Sequence, residues 1–176
     1  ERIHTRLSKP VASGNMYYYE QLARQTPGVG QAKTIPLWNG PGTVKVVVAS
    51  ADKQPVDGLI VTQAQQLLDE GRVIGAEVTA VSAAALKVTV AATCTLEGGV
   101  LPAAVEAQLA TQLREMFETM EFGTDAPIRL NQVALRLLSC DGVVDYTQLK
   151  INGKAANLAK TVEQVPVLQT VTITQG

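Results

Sequence analysis

The sequence contains few of the residues from which catalytic and metal sites are usually built. It has 1 histidine and 2 cysteines among 176 residues. His4 lies in the stretch 1–8, where no apolar period is visible and no metal partner is evident, so a surface position is favoured. Cys94 and Cys140 are far apart without a Cys-x-x-Cys spacing, which favours buried free thiols over a disulfide. We therefore expect no metal site and no cofactor.

Aromatic residues and charge of one sign are also scarce. Aromatic residues make up 4% of the chain, and 15 basic residues face 16 acidic ones. No run of Lys or Arg is present, and strong nonspecific nucleic-acid binding needs several such side chains on one face. No window of 18 apolar residues exists, and no secretory signal pattern is present. We therefore expect neither nucleic-acid binding nor membrane insertion.

The common catalytic motifs are missing as well. The sequence has no Gly-x-Ser-x-Gly elbow, no Gly-x-x-x-x-Gly-Lys loop and no His-Glu-x-x-His helix. The Gly-Val-Gly segment at 28–30 is too short for a dinucleotide fingerprint and follows a predicted helix. Two carboxylate pairs remain, Asp141 with Asp145 and Asp52 with Asp57, but a helix-end turn and a helix cap explain them better. We therefore expect a protein that is not an enzyme.

The chain does contain a clear opening pattern of helix, strand, turn and strand. Asn15 is a candidate N-cap of the helix, and Gly28 ends it, because glycine accepts the left-handed conformation that often closes a helix. A Gly/Pro-rich turn that includes Gly42 leads into the strand Thr43–Val48. That strand is almost wholly apolar, which predicts that it is covered on both faces.

The rest of the chain predicts three further helices and four strands. A helix at about 57–70 begins at Asp57, and the strands Glu77–Ser82 and Leu86–Thr95 then form a predicted hairpin. A long helix at about 102–121 carries an apolar stripe predicted to face a core: Leu109, Leu113, Met116, Phe117 and Met120. Asn131 is predicted to cap the last helix, and Gly142 to end it before two more strands.

The order of these elements predicts an α+β fold. Helix–β-hairpin units repeat, so mostly antiparallel sheets in two small subdomains are expected. Residues 1–13 are predicted to form an N-terminal arm that is disordered or docked on a neighbour. Residues 14–56 form the first helix–hairpin unit, which is expected to pack with the second unit, 128–176. Residues 57–127 are expected to form a middle helix–hairpin–helix subdomain between them.

The opening unit resembles the baseplate J-like family of contractile phage tails and related injection machines. The residues that carry the resemblance are Gly14-Asn15, Tyr19, Ala23, Gly28-Val29, Pro36, and Gly40 with Gly42-Thr43-Val44. A second helix followed by Gly142-Val143 and a strand extends the resemblance to residues from about 12 to 176. The sequence departs from the family pattern at Leu22, where an aromatic residue is common, and at 72–75, which lacks the usual proline.

The resemblance implies a structural role in a baseplate. It implies a wedge or ring subunit that self-associates in the full assembly and contacts other baseplate and wedge proteins, the sheath and the tube. It also implies a location in the virion tail, after synthesis in the cytoplasm of the host bacterium. Because the chain starts with Glu1 rather than Met, we expect it to be a fragment, or a processed or cloned piece.

Two alternatives remain open at this point. A small-molecule-sensing α+β regulatory domain would require a pocket with convergent polar groups. A carboxylate enzyme would require titratable groups with perturbed pKa values in a cleft. A structural subunit requires neither feature, and the missing motifs therefore favour it.

Overall fold

The structure, a computed structural model, describes residues 15–176. The predicted arm at 1–13 and His4 lie outside the described residues. Within these residues the fold is α+β, as predicted. The elements in chain order are α1 (Met16–Ala23), β1 (Gln31–Pro36), β2 (Thr43–Ala49), α2 (Gly58–Gly71), β3 (Glu77–Ser82), β4 (Ala84–Leu96), α3 (Pro102–Thr119), α4 (Leu130–Leu138), β5 (Val143–Ile151) and β6 (Gln164–Gln175).

The chain divides into two compact units, one ending at Ala84 and the other covering Ala85–Gly176. This boundary falls inside the segment 57–127, which the sequence predicted to be one middle subdomain. The physical reason is that the segment contributes to two separate cores. Ala64 and Leu68 belong to the core of the first unit, whereas Leu109 and Leu113 belong to the core of the second. The predicted packing of 14–56 with 128–176 stays a prediction.

The first unit contains a mixed sheet in the order β1-β2-β3. The central strand, β2, is antiparallel to β1 and parallel to β3. Successive side chains of a strand point to opposite faces, and Val46, Val47 and Val48 are all fully buried. Both faces of β2 are therefore covered, as its apolar sequence predicted. The buried cluster of this unit joins α1, α2 and all three strands: Tyr19, Ala23, Val29, Ala32, Val46, Val48, Ala64, Leu68, Val78 and Ala80.

The predicted hairpin between β3 and β4 is wrong. β3 pairs in parallel with β2, with Val44 opposite Val78, and β4 belongs to the other sheet. The reason is that α2 carries the chain back across the sheet, as the crossover of a parallel β–α–β unit requires. The short link at Ala83 has no turn sequence; Ala83 is buried and its amide donates to Val48 O over 2.8 Å.

The second unit contains a sheet in the order β5-β4-β6. The predicted hairpin of the last two strands is therefore also wrong, because β4 lies between them. β4 pairs along both of its edges, and it buries every second residue from Val88 to Leu96. Asn152 fixes its register with β5: the Asn152 amide donates to Thr89 O, and the Thr89 amide donates to Asn152 Oδ1.

The predicted apolar stripe of α3 is confirmed. Leu109 and Leu113 are fully buried, Met116 and Phe117 are each 6% exposed, and Met120 packs partly buried against the same core. The stripe faces the buried side of β4 and the inward side of α4, which contributes Val133, Ala134 and Leu137. No helix in the part of the chain that the structure describes is long and apolar enough to cross a membrane.

Candidate functional site

Four of the predicted turn and cap residues, Asn15, Gly28, Gly42 and Gly142, lie at helix starts or turns of the chain. Asn15 occupies the N-cap of α1, where its Oδ1 accepts from the Tyr18 amide over 2.8 Å. Gly28, Gly42 and Gly142 have φ angles of +91°, +78° and +78°. Gly28 and Gly142 lie several residues beyond Ala23 and Leu138, where α1 and α4 end. They therefore form the turns that enter the next strands, rather than the helix caps themselves.

Asn131 is not a helix cap. It lies inside α4, whose N-cap residue is Arg129 and has no side-chain cap bond. The free amide of Leu130 is instead satisfied from a distant loop, because Asn157 Oδ1 accepts its hydrogen over 2.9 Å. The residue that caps α4 is an asparagine, as predicted, but it comes from a distant segment of the chain rather than from the start of the helix.

Asn157→Ala is expected to lower the free energy of unfolding by about 0.5–2 kcal/mol, the usual cost of losing a helix N-cap side chain. Asn131→Ala, on the exposed side of the same helix, is the matched control and should change it by less than about 0.5 kcal/mol. Urea denaturation followed by circular dichroism measures both values. Equal losses of unfolding free energy in the two variants would mean that Asn131 does act as a cap of α4.

Gly42 brings two loops of the first unit together. Its carbonyl accepts from the Glu77 amide over 2.9 Å. A β-carbon built at Gly42 would lie 3.2 Å from Gly75 O. The β1–β2 turn and the α2–β3 loop therefore meet at one end of the sheet, where β2 and β3 both begin. Glycine suits this position because it combines a positive φ with a close backbone approach.

These two loops present four exposed apolar side chains, which we call the apolar tip: Leu37, Trp38, Val73 and Ile74. Their exposed fractions are 67% for Leu37, 40% for Trp38, 36% for Val73 and 106% for Ile74. Exposed apolar residues that cluster, rather than occurring singly, are typical of surfaces that contact another macromolecule. Tryptophan is also among the residues that contribute most to protein interfaces.

The turn that carries half of the apolar tip is held by several hydrogen bonds. Thr43 Oγ1 donates to Gly40 O over 2.7 Å and accepts from the Asn39 amide over 3.0 Å. The Leu37 amide donates to Thr43 O over 2.8 Å. Leu37 has a φ of +57°, which a leucine rarely adopts. Lys45 Nζ lies 4.4 Å from the centre of the Trp38 ring, in the geometry of a cation–π contact.

Sequence reasoning missed the apolar tip. A signal was present, because Leu37 and Trp38 stand directly before the Gly/Pro-rich turn, where polar residues are expected. The second half, Val73 and Ile74, stands before Gly75 in the same way. The sequence does not indicate that the two loops are neighbours.

The carboxylates of one candidate catalytic pair, Asp141 and Asp145, have structural roles. Asp141 Oδ2 accepts from Gln108 Nε2 over 2.6 Å, and the Asp141 amide donates back to Gln108 Oε1. Asp145 Oδ1 accepts from the Tyr146 amide. Asp57, of the other pair, is the N-cap residue of α2, as predicted by position, but its side chain makes no cap hydrogen bond. In residues 15–176 no group of three or more His, Cys, Asp or Glu side chains is placed to hold a metal ion.

Both cysteines are free and buried, as predicted. Burial raises the pKa of the Cys94 thiol. Burial, followed by the negative charge of Asp141 and the neighbouring Cys94, raises the pKa of the Cys140 thiol. The reactive thiolate form is therefore disfavoured at both positions.

Neither thiol is expected to react with an aromatic disulfide reagent at neutral pH while the protein is folded, and both should react after unfolding in urea. The absorbance of the released thiol measures this directly. Rapid reaction of either cysteine in native buffer, at the rate of a free thiol, would contradict the burial and the raised pKa.

Two families match the sequence in succession. The baseplate J-like central domain matches residues 11–82, and the baseplate J-like protein C-terminal domain matches residues 88–174. The chain belongs to the baseplate J-like family. The gap between the matched domains of this baseplate J-like chain coincides with the division of the structure at Ala84.

Two relatives come from Bacillus subtilis (strain 168). The baseplate J-like chain is 34% identical over 179 residues to the uncharacterized protein YqbT. It is 33% identical over 180 residues to the phage-like element PBSX protein XkdT. Each alignment covers 98% of this chain and 51% of the relative, so the chain spans about half the length of these relatives.

The fold is also similar to that of a larger chain in a solved structure. That structure is the cryo-EM structure of the anti-feeding prophage (AFP) baseplate, 6-fold symmetrised. The TM-score is 0.67 at 15% identity, over 96% of the baseplate J-like chain and 40% of the other chain. At this identity the likeness concerns the fold.

Proposed function

We propose that this protein is a structural subunit of a contractile phage-type tail baseplate, acting in tail assembly and infection. The observation that carries the proposal is the succession of two baseplate J-like domains across residues 11–174. The relative named for a phage-like element and the fold likeness to a chain of a prophage baseplate structure agree with it. Its partners are other baseplate and wedge proteins, the sheath and the tube, together with further copies of itself in a ring.

The location that follows is the tail baseplate of the virion, with synthesis in the cytoplasm of the host bacterium. A subunit of this kind has no turnover of its own. The titratable groups with shifted pKa values in the described residues support this view, since they are two buried thiols and Lys160. Burial lowers the pKa of Lys160, although Asp125 acts in the opposite direction. The Lys160 ammonium donates to Thr124 O and so ties two loops together.

The apolar tip is the part of the first unit that best suits a contact with another baseplate protein. Its side chains are exposed on two loops that approach each other at Gly42 and Gly75, and hydrogen bonds hold the turn that carries Leu37 and Trp38. Burying such a cluster against a partner would remove apolar surface from water without requiring the turn to reorganise.

The test is deletion of the gene in its source genome, followed by electron microscopy of induced particles. We expect tails without baseplates, or tubes and sheaths that fail to nucleate, and rescue by the parent gene supplied from a plasmid. Fully formed contractile tails with normal baseplates in the deletion strain would overturn the proposal.

Complementation with variants then tests the apolar tip. Ile74→Asp should fold like the parent, because Ile74 is fully exposed, but should fail to restore baseplates. Leu59→Asp is the matched control, since Leu59 is an exposed leucine of the same unit in the first turn of α2. Normal baseplates with Ile74→Asp, or equal failure of both variants, would remove the tip from the proposal.

A further inference from the structure

The two outer strands of the first sheet have backbone groups on the side away from β2 that are bound by helix side chains. On β1, the Thr34 amide donates to Glu20 Oε1 over 3.1 Å, and Arg24 Nη2 donates to Ala32 O over 3.1 Å. Glu20 lies in α1 and Arg24 is the C-cap residue of the same helix, one turn later, with Arg24 Nη2 3.9 Å from Glu20 Oε2. Glu20 is buried in spite of its charge.

The opposite edge of the sheet has the same arrangement with a single residue. On β3, the Ala80 amide donates to Gln65 Oε1 over 2.7 Å. Gln65 Nε2 donates to Val78 O over 2.8 Å. Gln65 comes from α2, so each outer strand is bound by the helix that packs beside it.

In both arrangements, side chains supply the hydrogen-bond donor and acceptor that a neighbouring strand would otherwise supply. In each, an acceptor binds the amide of one residue and a donor binds the carbonyl two residues earlier, which are the groups that face outward together on an edge strand. The carboxamide of Gln65 has the same planar carbonyl and N–H as a peptide bond. Glu20 and Arg24 divide the acceptor and the donor between a carboxylate and a guanidinium.

We propose that Gln65 and the Glu20–Arg24 pair are edge caps, which close both sides of this sheet to the addition of a strand from another polypeptide. An exposed edge offers unpaired backbone groups to any extended segment, and the most abundant such segment around this protein is β1 or β3 of a second copy. On each outer strand, the caps occupy one amide and one carbonyl that such pairing would use. This role concerns the folded unit itself and does not depend on the proposed baseplate function.

The second unit supports the same principle on a smaller scale. The Ile173 amide of β6 donates to Glu106 Oε1 of α3 over 2.8 Å. β5, the other outer strand, has irregular register with β4 at two places and a residue with positive φ, Gln148. Bulged and twisted edges are a second common way in which proteins prevent strand addition.

The test compares Gln65→Leu with Gln66→Leu in the full chain. Leucine keeps the size and helix propensity at position 65 but removes both hydrogen bonds. Gln66 is exposed on the same helix, so its variant adds the same apolar side chain without opening the edge. Hydrogen exchange in dilute solution measures the Ala80 amide, and sedimentation velocity over a concentration series measures self-association.

For Gln65→Leu we expect exchange of the Ala80 amide about tenfold faster than in the parent, corresponding to the loss of roughly one net hydrogen bond. We also expect species larger than monomer at concentrations where the parent and Gln66→Leu remain monomeric. An unchanged Ala80 exchange rate would overturn the proposal. So would faster exchange without any gain in association over Gln66→Leu.

If Gln65→Leu does not fold, as judged by circular dichroism, variants at the β1 edge test the proposal instead. Arg24→Ala removes the donor to Ala32 O from a side chain that is 42% exposed. Arg72→Ala removes an arginine of the same unit that bonds locally to Ala76 O, and it is the control. Self-association of Arg24→Ala above the level of Arg72→Ala supports the caps, and equal behaviour overturns them.

Discussion

Replacing Phe117 with alanine is expected to lower the free energy of unfolding of the second unit by about 3–5 kcal/mol. Phe117 is 6% exposed and packs within the cluster that joins α3 to β4 and α4. Alanine would leave a cavity between three elements, and a close-packed core relaxes only partly around such a loss. This is a large fraction of the stability of a small unit.

Two probes in one urea titration can measure this effect. Circular dichroism follows the whole chain, while labelling of Cys94 and Cys140 follows the second unit, because both thiols are buried in its core. Glu115→Ala, on the exposed side of α3, is the control and should shift neither midpoint measurably. A Phe117→Ala midpoint for thiol labelling within error of the Glu115→Ala midpoint would mean that Phe117 is not in the core.

Gly142→Ala is expected to cost about 2–4 kcal/mol, from two separate causes. The φ angle of +78° is strained for any residue with a β-carbon. That carbon would also lie 2.4 Å from Val100 Cγ2 and 3.1 Å from Val100 Cβ. Because a β-branched side chain has little freedom to move aside, the contact adds to the backbone strain.

Gly153→Ala separates the two causes. Gly153 has nearly the same φ, +77°, but no atom lies within 4 Å of the position that its β-carbon would take. It should therefore lose only about 1 kcal/mol from backbone strain. The double variant Val100→Ala with Gly142→Ala, compared with Val100→Ala alone, should recover most of the difference. Equal costs for the two glycine substitutions would show that Val100 gives way freely.

The local elements could be predicted because their signals are local. The strand Glu77–Ser82 and the start of the long helix at Pro102 agree with the structure residue for residue. Strand pairing could not be predicted in the same way. The alternation in β4 indicates which face is buried, but it does not indicate whether β3, β5 or β6 supplies the neighbour. The hairpins were predicted because their strands are consecutive in the chain. In the structure, α2 returns the chain so that β3 pairs with β2, and β4 lies between β5 and β6.

The candidate site also has local features that the sequence predicts and tertiary contacts that it does not. The local sequence predicts the turn at Gly42. The contact of Gly42 with Gly75, however, depends on the parallel pairing of β2 with β3. Gln65 is a second residue whose role depends on tertiary packing. Helical periodicity places Gln65 nearer than Gln66 to the buried Ala64 and Leu68, but only the packing of α2 on β3 shows that the Gln65 amide binds the strand edge.

The placement of β4 between β5 and β6 has a consequence for the way the chain is made. A ribosome releases the chain from its amino end, so the three strands of the first sheet are all available once Ser82 has emerged. β4 follows at once, yet both of its neighbours are synthesised much later, and the Gly176 amide that donates to Cys94 O lies 82 residues further along the chain than Cys94. For the time needed to translate that interval, the nascent chain carries an unpaired strand with one apolar face. During this interval, a ribosome-bound chaperone would have the most exposed apolar chain to bind.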